Sequence, residues 1–344
     1  MQQTRLHISL FAALGIALVA LFLVDLSFGA ISIPLGDVFK TLTGGAPAKT
    51  SWEYIILDYR LPKAITALLA GIGLSIGGLL MQTLFRNPLA GPDVLGLSSG
   101  ASLGVAFVIL GSALLPAALG VFFTSAYGVV IAATAGSFLV LLAVLAVAQR
   151  LRDTMAILIV GLMFSSFTGA IVGVLTYFSS AEKLQKYTFW ALGSLGNLPW
   201  DNIIILGLVL LIGLSLAILC IKPLDALLLG ERYAKSLGVN LNRTRIVLIL
   251  ATSLLTGCVT AFVGPIAFVG LVVPHMAKLL FKTGSHKILF TGTLLIGAAL
   301  MLLCDTFTQL PGSAFVLPVN AITSLIGAPV VISLLISKKK GIFS

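Results

Sequence analysis

The charged side chains that could form a site are concentrated in one segment, residues 223–240, which reads PLDALLLGERYAKSLGVN. Gly230 and Gly238 can each end or bend a helix within it. Glu231 and Lys235 are spaced so that they can pair on one helix face. The segment therefore predicts two short amphipathic helices that offer ion pairs and hydrogen bonds from four charged residues, Asp225, Glu231, Arg232 and Lys235.

The remaining reactive residue types form no recognisable catalytic or metal site. No GxxxxGK[ST] loop, HExxH motif or CxxC motif occurs. The cysteines fall in or at the edge of apolar runs, where they act as small packing residues. We therefore predict no catalytic residue, no metal ligand and no cofactor bound by this chain, although it carries the histidines and cysteines His7, His275, His286, Cys220, Cys258 and Cys304.

The composition is that of an integral membrane protein. Of 344 residues, 59% are hydrophobic and only 9% are charged, with a mean hydropathy of +1.15, whereas soluble domains carry about 25% charged residues. The apolar runs are long and unbroken, which favours helices over the roughly 10-residue alternating strands of a membrane barrel. The net charge of +10 is explained by basic residues on the inner side of a membrane, without nucleic acid.

Ten apolar runs approach the roughly 20 residues that a membrane-spanning helix needs. The first run is longer than the apolar core of a signal peptide, so we expect a retained span. Gly264-Pro265 separates the seventh run from the eighth, and merging them would leave nine spans. The predicted spans are residues 8–28, 64–81, 94–110, 117–148, 155–178, 203–221, 246–262, 266–281, 288–304 and 319–336.

Basic residues are distributed unequally between the two sides of this arrangement. Only Lys40, Lys49, Arg60, Lys63, Lys183 and Lys186 fall on the outer side, and fifteen of the 21 basic residues fall on the inner side. This bias places both termini and residues 223–240 in the cytoplasm. An interfacial helix pair between two spans and a docking surface for a soluble partner both fit residues 223–240.

No span has a carboxylate near its middle, since Asp25 and Asp305 lie near span ends. Ion-coupled transporters usually carry ionisable groups at membrane depth, although broken spans can bind ions through backbone carbonyls. An energy source outside the chain is therefore favoured, with an ion-coupled secondary transporter as the alternative. Small residues at helical spacing predict close helix packing, at Gly73 and Gly77, at Gly96, Gly100 and Gly104, and at Gly169 and Gly173.

Five motifs in a fixed order resemble the FecCD family, the permease subunits of ABC importers for iron complexes and cobalamin. They are YRLPKAITALLAG (59–71), GGLLMQTLFRNPLAGPDVLGLSSGA (77–101), LLLGERYAKSLGV (227–239), GPIAFVGLVVPHMAK (264–278) and LIGAPVVISLL (325–335). The resemblance implies an all-α fold of ten transmembrane helices, of the type II, cobalamin-permease-like kind. It also implies a single permease domain, residues 1–344, and a homodimer with a central pathway.

The resemblance also implies roles for individual residues. Residues 223–240 would be coupling helices that contact the ATPase, through Leu228, Gly230, Glu231, Arg232, Ala234, Lys235 and Gly238. The fifth span would line the pathway with Ser165, Ser166 and Thr168, and Asp153, Thr154 and Met155 would lie at the cytoplasmic gate. Arg60 and Lys63 would receive acidic residues of a binding protein.

The partners that the resemblance implies are two cytoplasmic ABC ATPase subunits, which bind ATP and Mg, and a periplasmic or lipid-anchored substrate-binding protein. The chain would be a non-enzymatic subunit in the bacterial inner membrane, importing an iron complex (siderophore or haem), with cobalamin as the alternative. Two positions depart from the family pattern. Gln309 stands where relatives often have a basic residue, and Val316 where they often have Glu, so we expect a less charged outer docking face.

Overall fold

The structure is a computed structural model that describes residues 2–114, 125–150, 154–196, 198–309 and 315–340. These residues are almost entirely helical. The helices are α1 (Gln2–Ser27), α2 (Leu35–Leu42), α3 (Thr50–Tyr54), α4 (Leu61–Leu84), α5 (Leu97–Ile109), α6 (Ala126–Arg150), α7 (Thr154–Tyr177), α8 (Ala181–Ala191), α9 (Trp200–Leu219), α10 (Ile221–Leu228), α11 (Glu231–Ser236), α12 (Leu241–Thr252), α13 (Cys258–Val263), α14 (Val269–Phe281), α15 (His286–Thr308) and α16 (Val319–Lys340).

Seven helical stretches in the described ranges are long and apolar enough to cross a membrane, namely Leu6–Ser27, Thr50–Leu84, Tyr127–Val147, Met155–Tyr177, Trp200–Leu219, Leu241–Val263 and His286–Thr308. Three shorter apolar helices, Leu97–Ile109, Val269–Phe281 and Val319–Ser333, occupy the other three predicted runs. The all-helical, multi-pass prediction is confirmed. The count of ten stays a prediction, because these three helices fall short of the usual spanning length.

The predicted spans 8–28 and 64–81 leave residues 29–63 as an outer connection, and the last part of this connection is helical. The helix runs without interruption from Thr50 to Leu84, through a π-helical turn at Ile55–Arg60. Pro62 follows this turn directly, at the start of α4. Proline removes one helical hydrogen bond and crowds the preceding turn, and a wider π turn accommodates both effects. The predicted break at Gly264-Pro265 is present, since α13 ends at Val263 and α14 begins at Val269.

Helix α4 is the centre of the packing, and it is flanked by α15, α14, α9, α12 and α1. Glycines allow the closest approaches. A Cβ atom on Gly71 would overlap the backbone of Gly297 in α15, and one on Gly78 would overlap the backbone of Gly270 in α14. Lipid offers no strong apolar drive between helices, so such backbone contacts supply much of the attraction.

A second group of helices, α5, α6 and α7, packs together, and α6 contacts α13. As the glycine spacing predicts, Gly100 and Gly104 lie against α6, where an added Cβ would meet the carbonyls of Gly136 and Ala132. The third predicted pair differs. Nothing lies within 4 Å of a Cβ added at Gly169 or Gly173, so this stretch of α7 leaves an open face on the single chain.

Candidate functional site

Residues 221–236 fold as the two short helices that the sequence predicts, α10 and α11, here called the α10–α11 module. Gly230 joins them with φ 116° and ψ 147°, and Gly238 follows α11 with φ 83°. Both glycines adopt backbone angles that other residues rarely reach. The two helices therefore meet at a sharp, glycine-dependent turn.

Three polar contacts join the α10–α11 module to the membrane helices. Arg245 of α12 donates to the Glu231 carboxylate at 2.7 Å. Arg86, just after α4, donates to the Leu227 carbonyl at 3.0 Å. Asp225 of α10 accepts two hydrogen bonds from His286, the first residue of α15. These contacts link residues far apart in the sequence, and local patterns gave no signal for Arg86, Arg245 or His286 as partners.

The outward surface of the module is both apolar and basic. Leu228 is 50% exposed and Leu237 is also exposed, whereas Leu224 and Leu227 are buried, so the leucines of this segment do not lie on one side. Ala234 is fully buried and packs inside the module, which corrects the prediction that it contacts the ATPase. An open groove of about 740 Å³ lies beside the turn, lined by Arg86, Leu229, Gly230, Glu231, Arg232, Tyr233 and Ser236.

At the opposite end of α4 lies a larger pocket of about 1210 Å³. It brings together the two predicted docking residues and several groups that the sequence analysis did not connect with them. Helix α8 contributes Lys183 and an exposed ion pair, in which Lys186 lies 2.9 Å from Glu182 and lowers the pKa of that carboxyl. The lining includes Arg60, Lys63, Lys183, Trp190, Asp305 and Gln309.

Arg60 does not present its charge at the surface. It is only 8% exposed, and its guanidinium donates to the carbonyls of Leu26 and Ser27 at 2.7 and 2.8 Å, and to that of Ile31. Basic groups at a helix C-terminus satisfy its free carbonyls and its dipole. Arg60 therefore holds the end of α1 against α4, and this corrects the prediction of an outward-facing docking residue.

Lys63 pairs with Asp305 of α15 at 2.9 Å, and Asp305 is 1% exposed. In the amide orientation that satisfies both neighbours, Gln309 accepts from Lys63 at 3.2 Å and donates to the Phe28 carbonyl at 3.1 Å. Gln309 and Val316, the two departures from the family pattern, face each other in an antiparallel β-bridge. The two positions therefore form one neutral contact in this chain.

We expect Asp305→Ala to lower the free energy of unfolding by about 3 kcal/mol, because it leaves the Lys63 ammonium without its buried partner. The melting temperature in detergent measures this loss. Glu182→Gln is the matched control, since it breaks an exposed pair of equal length and should leave the melting temperature nearly unchanged. Equal melting temperatures for the two variants would contradict the structural role assigned to the buried pair.

The predicted pathway residues on α7 do not share one surface. Thr168 is buried, and its hydroxyl donates to the Phe164 carbonyl of its own helix at 2.9 Å. Ser165 is half-buried and lies against Gly96, whereas Ser166 is exposed. Of the predicted gate, Thr154 begins α7 and Met155 is exposed, but Asp153 lies outside the described residues.

The described ranges contain no group of three or more histidine, cysteine or acidic residues that could hold a metal ion.

Most of the chain matches a known protein family. Residues 17–337 match the profile of the FecCD transport family. The chain belongs to the FecCD transport family.

Named FecCD relatives cover nearly the whole chain. The hemin transport system permease protein HmuU of Yersinia pestis is 34% identical over 327 residues, 94% of each chain. The vitamin B12 import system permease protein BtuC of Shigella boydii is 35% identical over 342 residues, 98% of each chain. A solved inward-facing structure of an ABC transporter assigned to the metal-chelate type superposes with a TM-score of 0.83 at 29% identity, covering 96% of this chain and 99% of that one. This chain is therefore a permease subunit of an ABC importer.

Proposed function

We propose that this FecCD permease imports an iron complex, haem or a ferric siderophore, across the bacterial inner membrane, driven by ATP hydrolysis in two partner ATPase subunits. The observation that carries the proposal is the near-complete match to a hemin permease together with the likeness to a metal-chelate transporter. Cobalamin is the second candidate, because the vitamin B12 permease is equally similar.

The α10–α11 module is the surface that we assign to the ATPase. It combines exposed apolar side chains, such as Leu228 and Tyr233, with the exposed cations Arg232 and Lys235. Such a mixture suits a protein partner with acidic side chains around an apolar cleft. ATP and Mg belong to that partner, and both termini lie with the module on the cytoplasmic side.

The pocket near Lys63 is the surface that we assign to a periplasmic or lipid-anchored binding protein. Lys63, Lys183 and Lys186 line it, whereas the Arg60 charge is used within the chain. We further propose a homodimer in which the open face of α7 at Gly169 and Gly173 lines the shared pathway with Ser166. Alternating access of such a pathway would follow movement of the ATPase-contacting helices.

Reconstitution in proteoliposomes tests this function. The permease, its ATPase and its binding protein are combined, and uptake of haem, a ferric siderophore and cobalamin is measured with and without ATP. We expect ATP-dependent uptake of an iron complex. ATP-dependent uptake of cobalamin alone would overturn the substrate assignment. Uptake driven by an ion gradient without ATP would instead favour a secondary transporter.

A further inference from the structure

The imidazole of His286 joins three helices that are distant in sequence. His286 is 1% exposed. Its Nδ1 lies 2.7 Å from Oδ1 of Asp225 in α10, and its Nε2 lies 2.9 Å from Oγ1 of Thr83 in α4. The backbone N–H of His286 donates to the same Asp225 oxygen at 2.8 Å. A continuous series of hydrogen bonds therefore runs from α10 in the module to the adjacent ends of α4 and α15.

The donors in this chain can be assigned from its acceptors. An ionised carboxylate only accepts, so Nδ1 of His286 carries a proton and donates to Asp225. The Thr83 hydroxyl lies 3.0 Å from the Leu79 carbonyl and 2.9 Å from Nε2. If the hydroxyl donates to the carbonyl, the ring is a cation that donates at both nitrogens. If it donates to Nε2, the ring is neutral, and both hydrogen bonds of the ring persist in either state.

Two other features hold α10 against the helices beneath it. Leu224 and Leu227 are buried there, and Arg86 donates a hydrogen bond to the Leu227 carbonyl near the C-terminal end of α10. Apolar contact is not directional and allows a short helix to slide. A hydrogen-bonded carboxylate–imidazole pair fixes both distance and direction. Asp225 and His286 therefore supply a directional connection between α10 and the start of α15.

We propose that the Asp225–His286–Thr83 chain transmits movement of α10 to α4 and α15, with His286 as the positioning residue. This inference rests on the proposed contact between the α10–α11 module and the ATPase. If the module moves when the ATPase binds ATP, the chain carries that displacement into two spans at once. Without these hydrogen bonds, the ATPase would still hydrolyse ATP, but its movement would displace α4 and α15 less effectively.

The test compares Asp225→Ala, which removes the acceptor of both His286 hydrogen bonds, with His286→Gln and the double variant in the full transporter in proteoliposomes. The measured quantity is uptake per ATP hydrolysed, for whichever of haem, a ferric siderophore and cobalamin the wild-type transporter takes up. Each single change should lower this ratio about tenfold, as expected for a lost hydrogen bond to a charged group. Uptake per ATP in the double variant should be no lower than in the less active single variant, because both substitutions remove the same connection.

Lys287→Gln is the matched control, because it removes the charge of an exposed residue beside His286 in α15, outside the α10–α11 module, and it should leave uptake per ATP near the wild-type value. Thr83→Val keeps the side-chain volume and removes the hydroxyl contacts with Nε2 of His286 and with the Leu79 carbonyl of its own helix. Only the first contact connects α4 to α15, and we expect a decrease of about threefold. If the Asp225 and His286 variants do not assemble, the Thr83→Val variant tests whether movement is transmitted through His286. Unchanged uptake per ATP in the assembled variants, or losses that multiply in the double variant, would overturn the inference.

A cross-link distinguishes this inference from the function on which it rests. In Tyr233→Cys, the thiol would lie on the exposed surface of α11 and should cross-link to the ATPase in every variant. A cross-link that is absent from otherwise wild-type protein would refute the ATPase contact itself. A cross-link that persists while Asp225→Ala and His286→Gln leave uptake per ATP unchanged would refute only the transmission through His286.

Discussion

Gly230→Pro is expected to reduce ATP-driven uptake by at least about tenfold, the factor that corresponds to about 1.4 kcal/mol. Gly230 has φ 116°, whereas proline is held near −65°. The substitution also removes the N–H that donates to the Leu227 carbonyl at 3.1 Å. The turn between α10 and α11 therefore has to rearrange, and α11 is displaced from its place beside Arg245. Uptake and ATP hydrolysis measured in the same proteoliposomes check this result.

The control for this change is Gly44→Pro. Gly44 also has a positive φ, 82°, and its N–H also donates at 3.1 Å, to the Thr41 carbonyl. It lies in the loop after α2, away from the α10–α11 module. The two substitutions disturb the backbone in the same way and differ in location. Because Gly44 lies away from the module, we expect the Gly44→Pro variant to transport nearly as well as the wild type. Equal uptake by the Gly230→Pro variant and the wild type would show that the turn geometry does not matter for coupling.

Gly78→Leu is expected to prevent the transmembrane domain from folding. Even a single Cβ atom on Gly78 would overlap the backbone of Gly270, and backbone cannot rotate away as a side chain can. Overpacking against side chains costs about 1–3 kcal/mol, so a backbone overlap should exceed about 3 kcal/mol. Against a typical total stability of about 5–15 kcal/mol, we expect a large loss of folded protein. The yield of monodisperse protein after detergent extraction measures it.

Gly207→Leu provides the comparison for Gly78→Leu. Gly207 lies on the apolar helix α9, and nothing is within 4 Å of a Cβ added there. The added side chain points into open space on the single chain, and we expect wild-type yield and melting temperature. Similar yields for the Gly78 and Gly207 variants would mean that α4 and α14 do not approach as closely as the structure shows.

The sequence predicts those features that local patterns determine. Hydrophobic runs locate the helices, and the glycines at positions 230 and 238 locate the ends of two short helices that the structure confirms. The same kind of pattern indicates that Gly100 and Gly104 lie at a helix contact. It cannot name the partner helix, because the spacing of small residues seen at Ala132 and Gly136 also occurs in several other spans. The open face at Gly169 and Gly173 shows that identical spacing does not by itself place a neighbour in the chain.

The polar contacts were the least predictable part of the candidate site. The spacing of Glu231 and Lys235 allows a pair on one helix, and the structure shows Glu231 bonded to Arg245 on the next helix. Lys63 reaches Asp305 from nearly the other end of the chain. Pairs between residues so far apart in the sequence depend on how the helices are arranged in space. The spacing of hydrophobic residues does not determine that arrangement. Arg60 illustrates the same point, since its charge is used on three carbonyl groups at the end of α1.

Helices α4 and α15 are connected by polar groups at both ends, through Lys63 and Asp305 at one end and through Thr83 and His286 at the other. Helix α4 has 24 residues, so these two connections lie on the order of 30 Å apart. Neither helix can slide along the other without breaking both connections, so the pair behaves as a strut. A force applied to one end of this pair is therefore carried to its other end, and we expect relative movement between the strut and the separate group formed by α5, α6 and α7.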